Sequence, residues 1–144
     1  MVDVIIIYDS KTGNTEKVAA LILNGVRSSG VSVEMKKVDS VKAGDLASAK
    51  GLIIGSYCMR DNCSIKIDAL LKSTEPAAVD RKPGAAFGSY KFSGGHLQKL
   101  EADMVKLGIR LVAPGINVVK EPDEQASLKL AELGKKVGEA VKNT

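Results

Sequence analysis

Residues 4 to 15 read Val4-Ile5-Ile6-Ile7-Tyr8-Asp9-Ser10-Lys11-Thr12-Gly13-Asn14-Thr15, an apolar run that stops at small hydroxyl, amide and glycine residues. The uninterrupted β-branched run Val4 to Ile7 suits a strand covered on both faces, as in a parallel sheet. From Val18 onward the period changes: Ala19, Ile22, Leu23 and Val26 fall at i, i+3, i+4 and i+7, one stripe of a helix. The loop between them therefore meets a helix N-terminus, where unpaired backbone N–H groups and the positive end of the dipole favour an anion. Ser10, Thr12, Asn14 and Thr15 add side-chain donors, and Gly13 lets the backbone approach closely. An ordinary capped turn uses the same residue types. Four such donors around one glycine exceed what a cap needs, and the loop suits a phosphate.

Two common phosphate loops are excluded by spacing. The triphosphate loop needs a glycine, four residues, then Gly-Lys-Ser/Thr. The dinucleotide fingerprint needs three glycines at fixed offsets, and here only Gly13 is present.

Working outward, strands and helices alternate without a break in composition. Val31 to Val38 alternates apolar and polar residues and predicts a half-exposed edge strand, and 44 to 49 a short helix. Gly51 to Gly55 reads as a buried strand. Ser64 can cap a helix bearing Ile67, Leu70 and Leu71 that stops before Pro76. Lys82 to Phe87 is a small-residue strand. Leu97, Leu100, Met104 and Leu107 mark a helix ending at Gly108. Ile109 to Val119 is a last strand with a bend at Pro114-Gly115, and Pro122-Asp123 opens a final helix with Leu130, Leu133, Val137 and Val141 inward. Five βα units of this kind build a doubly wound α/β fold: a five-stranded parallel sheet with helices on both faces.

Size and composition fit a single domain, residues 1–144, with an aliphatic core. Of the 144 residues 44% are apolar but only 3% aromatic, so Tyr8, Tyr57, Phe87, Tyr90 and Phe92 are informative. Phe87 reads as core. No apolar run approaches the ~18 residues of a membrane span. The two cysteines read as cytosolic thiols, which points to a cytoplasmic protein. The net charge of +4 is spread over helix surfaces without interleaved aromatics, which argues against a nucleic-acid surface. His96, the only histidine, reads as an exposed residue at a helix start. Cys58 and Cys63 are too few for a structural zinc, and their spacing is not that of a Cys-x-x-Cys redox pair.

The segment Ser-x-Thr-Gly-Asn-Thr at positions 10 to 15 resembles the FMN-phosphate loop of the flavodoxin family. The resemblance implies the strand order 2-1-3-4-5 and FMN as cofactor, with Ser10, Lys11, Thr12, Gly13, Asn14 and Thr15 around its phosphate. It also implies that the loops after strands three and four sandwich the flavin ring. The first supplies Ser56, Tyr57, Cys58, Met59, Arg60, Asp61 and Asn62. The second supplies Ser89, Tyr90, Lys91, Phe92, Gly94 and Gly95, and is similar to the matching loop of flavo-diiron proteins. Phe92 or Tyr90 would stack on the flavin. In flavodoxins a carbonyl of the first loop turns to accept a hydrogen bond from the one-electron-reduced flavin. This chain has no glycine between Ser56 and Cys63, so only Asp61 or Asn62 is suited to the left-handed backbone such a turn requires. Receiver domains share the fold class, but Asp9 stands in a hydroxyl-rich loop and Gly55-Ser56 ends the third strand, without their acidic cluster.

The resemblance implies a monomeric electron carrier between redox partner proteins. No side chain need act as acid, base or nucleophile, because the flavin carries the redox chemistry. Lys11, Arg60 and Lys91 give each flavin loop a cation and suggest acidic partners. The alternatives are an NAD(P)H-dependent flavin or quinone reductase, and a flavodoxin-like module of a larger redox complex.

Overall fold

The structure, a computed structural model, describes residues 2–42 and 44–143. Its chain order is β1 Val4–Asp9, α1 Asn14–Ser28, β2 Val33–Lys37, α2 Asp45–Ser48, β3 Gly51–Tyr57, α3 Ile65–Ser73, α4 Pro76–Val79, β4 Pro83–Tyr90, α5 His96–Lys106, β5 Arg110–Leu111, β6 Ile116–Val119 and α6 Glu124–Lys142. All strand pairings are parallel, in the order β2-β1-β3-β4-β5, with β6 also on β4. The order inferred from the resemblance is the observed one.

Alternation along each strand divides the core into two layers. Val4, Ile6 and Tyr8 of β1 face α1 and α6, where Val18, Ile22, Val26, Leu130, Leu133 and Val137 pack. Ile5 and Ile7 face the other side, with Ile67 of α3 and Leu97, Leu100 and Met104 of α5. Every residue of β1 is buried, as its unbroken apolar run requires. Side-chain caps fix two helix starts: Ser64 Oγ accepts from Ile67 N (3.2 Å), and Asp123 Oδ1 from Ala126 N (2.8 Å).

Five features differ from the sequence reading. The strand β3 runs past Gly55 to Tyr57, and β4 runs past Phe87 to Tyr90, because the register continues through Ser56↔Gly88 and Tyr57↔Ser89. The last strand is two segments rather than one bent strand. Both pair with β4, and Gly115 between them donates its N–H to Glu101 Oε2 (3.0 Å). The short α4 begins at Pro76, a residue preorganised for a first helical turn. Asp9 is not in the loop; it ends β1, buried, opposite Ser56.

Candidate functional site

Parallel strands bring the loops after β1, β3 and β4 to one end of the sheet. There they enclose a cavity of about 450 Å³ lined by Lys11, Thr12 and Asn14 from the first loop, Tyr57, Cys58 and Arg60 from the second, and Ser89, Tyr90, Lys91, Phe92 and Ser93 from the third.

In the first loop Gly13 is left-handed (φ 93°), and its N–H donates to Ser10 Oγ (2.9 Å). Its carbonyl accepts from Lys17 N (3.1 Å), starting α1, yet among the described residues no side chain caps this helix. A helix whose first-turn N–H groups lack a side-chain cap, beside Thr12 and Asn14, has the donors to hold an anion. Thr15 behaves differently: it is buried, and its hydroxyl shares a 2.6 Å hydrogen bond with Ser89 Oγ, joining α1 to β4. Ser10 and Thr15 thus shape the loop, while Thr12 and Asn14 face the cavity. Tyr8 of β1 donates its hydroxyl to Glu16 Oε1 of α1 (2.7 Å). Burial, then this carboxylate, push the Tyr8 pKa up to about 12.

The second loop closes as a tight turn. Met59 and Asn62 exchange backbone hydrogen bonds (2.8 and 3.0 Å), with Arg60 (φ 52°) and Asp61 (φ 62°) at its centre. Positive φ at both central residues is the type I′ requirement. Asp61 therefore takes the left-handed role foreseen for it; Asn62 does not, and Arg60 does. The Asp61 carboxylate accepts from Ser93 Oγ and from Gly95 N, tying the second loop to the third. Asn62 Oδ1 accepts from Lys99 Nζ (2.8 Å). The Ser56 hydroxyl is buried, donating to the Tyr57 carbonyl and accepting from Ser64 N. Met59 lines an adjoining groove of about 430 Å³ with Asp9, Ser10, Lys11, Lys37, Tyr57, Ile65 and Lys66.

In the third loop Tyr90 is half-buried and Phe92 is 97% exposed. Gly94 and Gly95 stand behind the loop. A Cβ at Gly94 would lie 3.2 Å from the Tyr90 ring, and the Gly94 carbonyl accepts from Asn117 Nδ2 (2.9 Å). Phe87 is core, as read.

His96 corrects the sequence reading: it is wholly buried rather than exposed. Its ring nitrogen Nε2 lies 2.9 Å from the Ser56 carbonyl, which can only accept, so Nε2 carries a proton. Space for the ring comes from Gly88, whose missing Cβ would sit 2.5 Å from Nε2 and 2.8 Å from Asn117 Oδ1. Burial holds the His96 pKa below its usual 6.5. Cys63 is also buried, its thiol near the His96 carbonyl (3.7 Å), and burial pushes its pKa to about 12, so it is inert.

The cavity thus has one end suited to an anion and a wall of Tyr57, Tyr90 and Phe92 suited to a flat ring. Its lining holds three cations, Lys11, Arg60 and Lys91, and no carboxylate. Among the described residues no helix is long and apolar enough to cross a membrane.

Comparisons with known proteins agree with this geometry. The flavodoxin family model matches residues 6–134. The chain is 34% identical over 141 residues to a flavodoxin of Clostridium beijerinckii, covering 92% of this chain and 96% of that one. It is 28% identical to an anaerobic nitric oxide reductase flavorubredoxin of Vibrio vulnificus, over 92% of this chain but only 28% of that protein. A solved flavodoxin from the domain Archaea superposes with a TM-score of 0.91 at 28% identity, covering 96% of this chain and 98% of that one. With this sheet order, this loop after β1 and these relatives, the chain belongs to the flavodoxin family, whose members bind FMN and carry electrons.

Proposed function

We propose that residues 1–144 act as one unit that holds FMN noncovalently in the cavity at the ends of β1, β3 and β4. The unit then passes one or two electrons between separate redox partner proteins. The observation that carries this reading is one cavity joining the N-terminus of α1, which no side chain caps, to a wall of Tyr57, Tyr90 and Phe92. Bound there, FMN supplies the redox chemistry, accepting electrons singly or as a pair. Thr12, Asn14 and the first amides of α1 hold the phosphate as an anion, with no metal. Tyr57 and either Tyr90 or Phe92 flank the ring, and the Asp61 bonds to Ser93 and Gly95 fix the separation of the two flanking loops. The free thiols Cys58 and Cys63 suit a reducing compartment.

Purified protein reconstituted with FMN should be yellow and retain one flavin per chain through gel filtration. NADPH alone should leave it oxidised, whereas NADPH with a flavodoxin reductase should bleach it. Steady NADPH oxidation without a reductase would replace the carrier reading by that of a flavin or quinone reductase. Failure to retain FMN would sink both. A third reading, a redox module serving a larger assembly, draws support from the flavorubredoxin match, in which the aligned segment spans 28% of the relative. Stable co-purification with a diiron protein would favour it.

A further inference from the structure

The cavity and the groove beside it form one continuous rim, with Lys11 and Tyr57 lining both. Cations outnumber carboxylates on this rim. Lys11, Lys37, Arg60 and Lys91 make no ion pair among the described residues. Three carboxylates lie nearby, fewer than the cations: Asp9 is 6% exposed, Asp61 keeps its charge while accepting from Ser93 and Gly95, and Asp39 pairs with Lys66 at 2.7 Å. Among these cations stand three unusually exposed apolar side chains, Met59 (44%), Ile65 (74%) and Phe92 (97%). Isolated surface apolar residues need no explanation, but these three share one rim. Apolar anchors within a ring of unpaired like charges suit a docking face: the charges steer the encounter and the anchors hold it.

We propose that this rim docks an acidic redox protein, one that presents carboxylates around its own redox centre. The inference rests on the reading that the cavity holds FMN. Each two-electron-reduced FMN then delivers one electron to each of two one-electron acceptors, returning to oxidised FMN as its protons pass to solvent.

Charged acceptors test the rim directly. Dithionite-reduced holoprotein is mixed with hexacyanoferrate(III), an anion, or tris(phenanthroline)cobalt(III), a cation, between about 10 and 500 mM salt. The rate with the anion should fall as salt rises, and the rate with the cation should rise. The double variant Lys37→Glu/Ile65→Asp, whose residues line only the adjoining groove, should lower the low-salt rate with the anion by about fivefold or more. FMN affinity should stay unchanged. Lys37→Gln alone, a milder surface change, should give a smaller loss in the same direction. Calorimetric titration of the protein with rubredoxin, an acidic carrier, should give saturable binding that the double variant loses, and basic cytochrome c should give none. Salt-independent rates, a faster low-salt reaction with the cation, or binding of cytochrome c in place of rubredoxin overturns the docking face. Loss of FMN would appear first in the absorbance spectrum; it would count against the cofactor reading while leaving the calorimetric comparison decisive for the docking face.

Discussion

Arg60 holds a left-handed backbone (φ 52°) that a side chain with a Cβ adopts at a cost of about 1–2 kcal/mol. Glycine relieves that strain but loses about 0.5–1 kcal/mol to the greater freedom of its unfolded chain. Arg60→Gly should therefore stabilise the protein by about 0.5–1 kcal/mol in urea unfolding, and a loss would show that the arginine side chain holds the turn. Thr12 faces the cavity, whereas Thr15 is locked to Ser89. Thr12→Val should weaken FMN by about tenfold, the worth of one hydrogen bond to an ionised group, and leave riboflavin almost untouched. Fluorescence titration with both ligands checks this, and equal weakening would move the phosphate elsewhere. His96 carries a pH consequence. Its folded pKa lies below its unfolded 6.5, so the unfolded chain binds the proton first. Its contribution is complete above about pH 6.5 and is lost as pH falls below that value. Urea midpoints between about pH 7.5 and 5 should fall for the native protein and flatten for His96→Leu; parallel profiles would place the acid sensitivity elsewhere. None of these burial facts was legible at the positions themselves. The Ser56 hydroxyl, Thr15 and His96 look like loop or surface residues in sequence, and what hides them is Ser89 or Gly88 on another strand.

The helices α1 and α6 meet through glycine. A Cβ at Gly25 would strike the Ala131 carbonyl, and one at Gly134 would strike the Ile22 carbonyl. In an exposed helix Gly→Ala gains about 1 kcal/mol. At Gly134 the overpacking term, about 1–3 kcal/mol, opposes and exceeds that gain. Gly134→Ala should lower stability in urea unfolding, and a more stable variant would mean the helices can separate without loss. The stripes of both helices were plain in the sequence because a 3.6-residue period is local: Val18, Ala19, Ile22 and Val26 needed no knowledge of the rest of the chain. The turn from β1 into α1 around Gly13 was legible for the same reason. The ends of β3 and β4 were not. Gly55-Ser56-Tyr57 and Gly88-Ser89-Tyr90 have the composition of turns and become strand only through pairing with each other. The bend at Pro114-Gly115 announced itself, but not that both halves of the broken strand pair with β4.

The field around the cavity belongs to the assembled protein, since Lys11, Arg60 and Lys91 come from three separate loops. At ~8 Å and an effective dielectric of ~40, one such charge is worth about 1 kcal/mol, or about 40 mV for a one-electron step. Lys91→Glu reverses one charge without disturbing the Arg60 turn, and it should lower the FMN midpoint potential by tens of millivolts, about 40–80 mV before screening. Redox titration decides the matter, and an unmoved potential would mean that Lys91 lies too deep in solvent to be felt. A different consequence follows from the divided last strand. On that side of the sheet, β5 has 2 residues and β6 has 4, with Pro114-Gly115 between them. The opposite edge, β2, carries Glu34, Lys36 and Lys37. Neither flank offers a long, flat row of free amides to an incoming chain, so the sheet resists growing into fibrils even when the protein is concentrated.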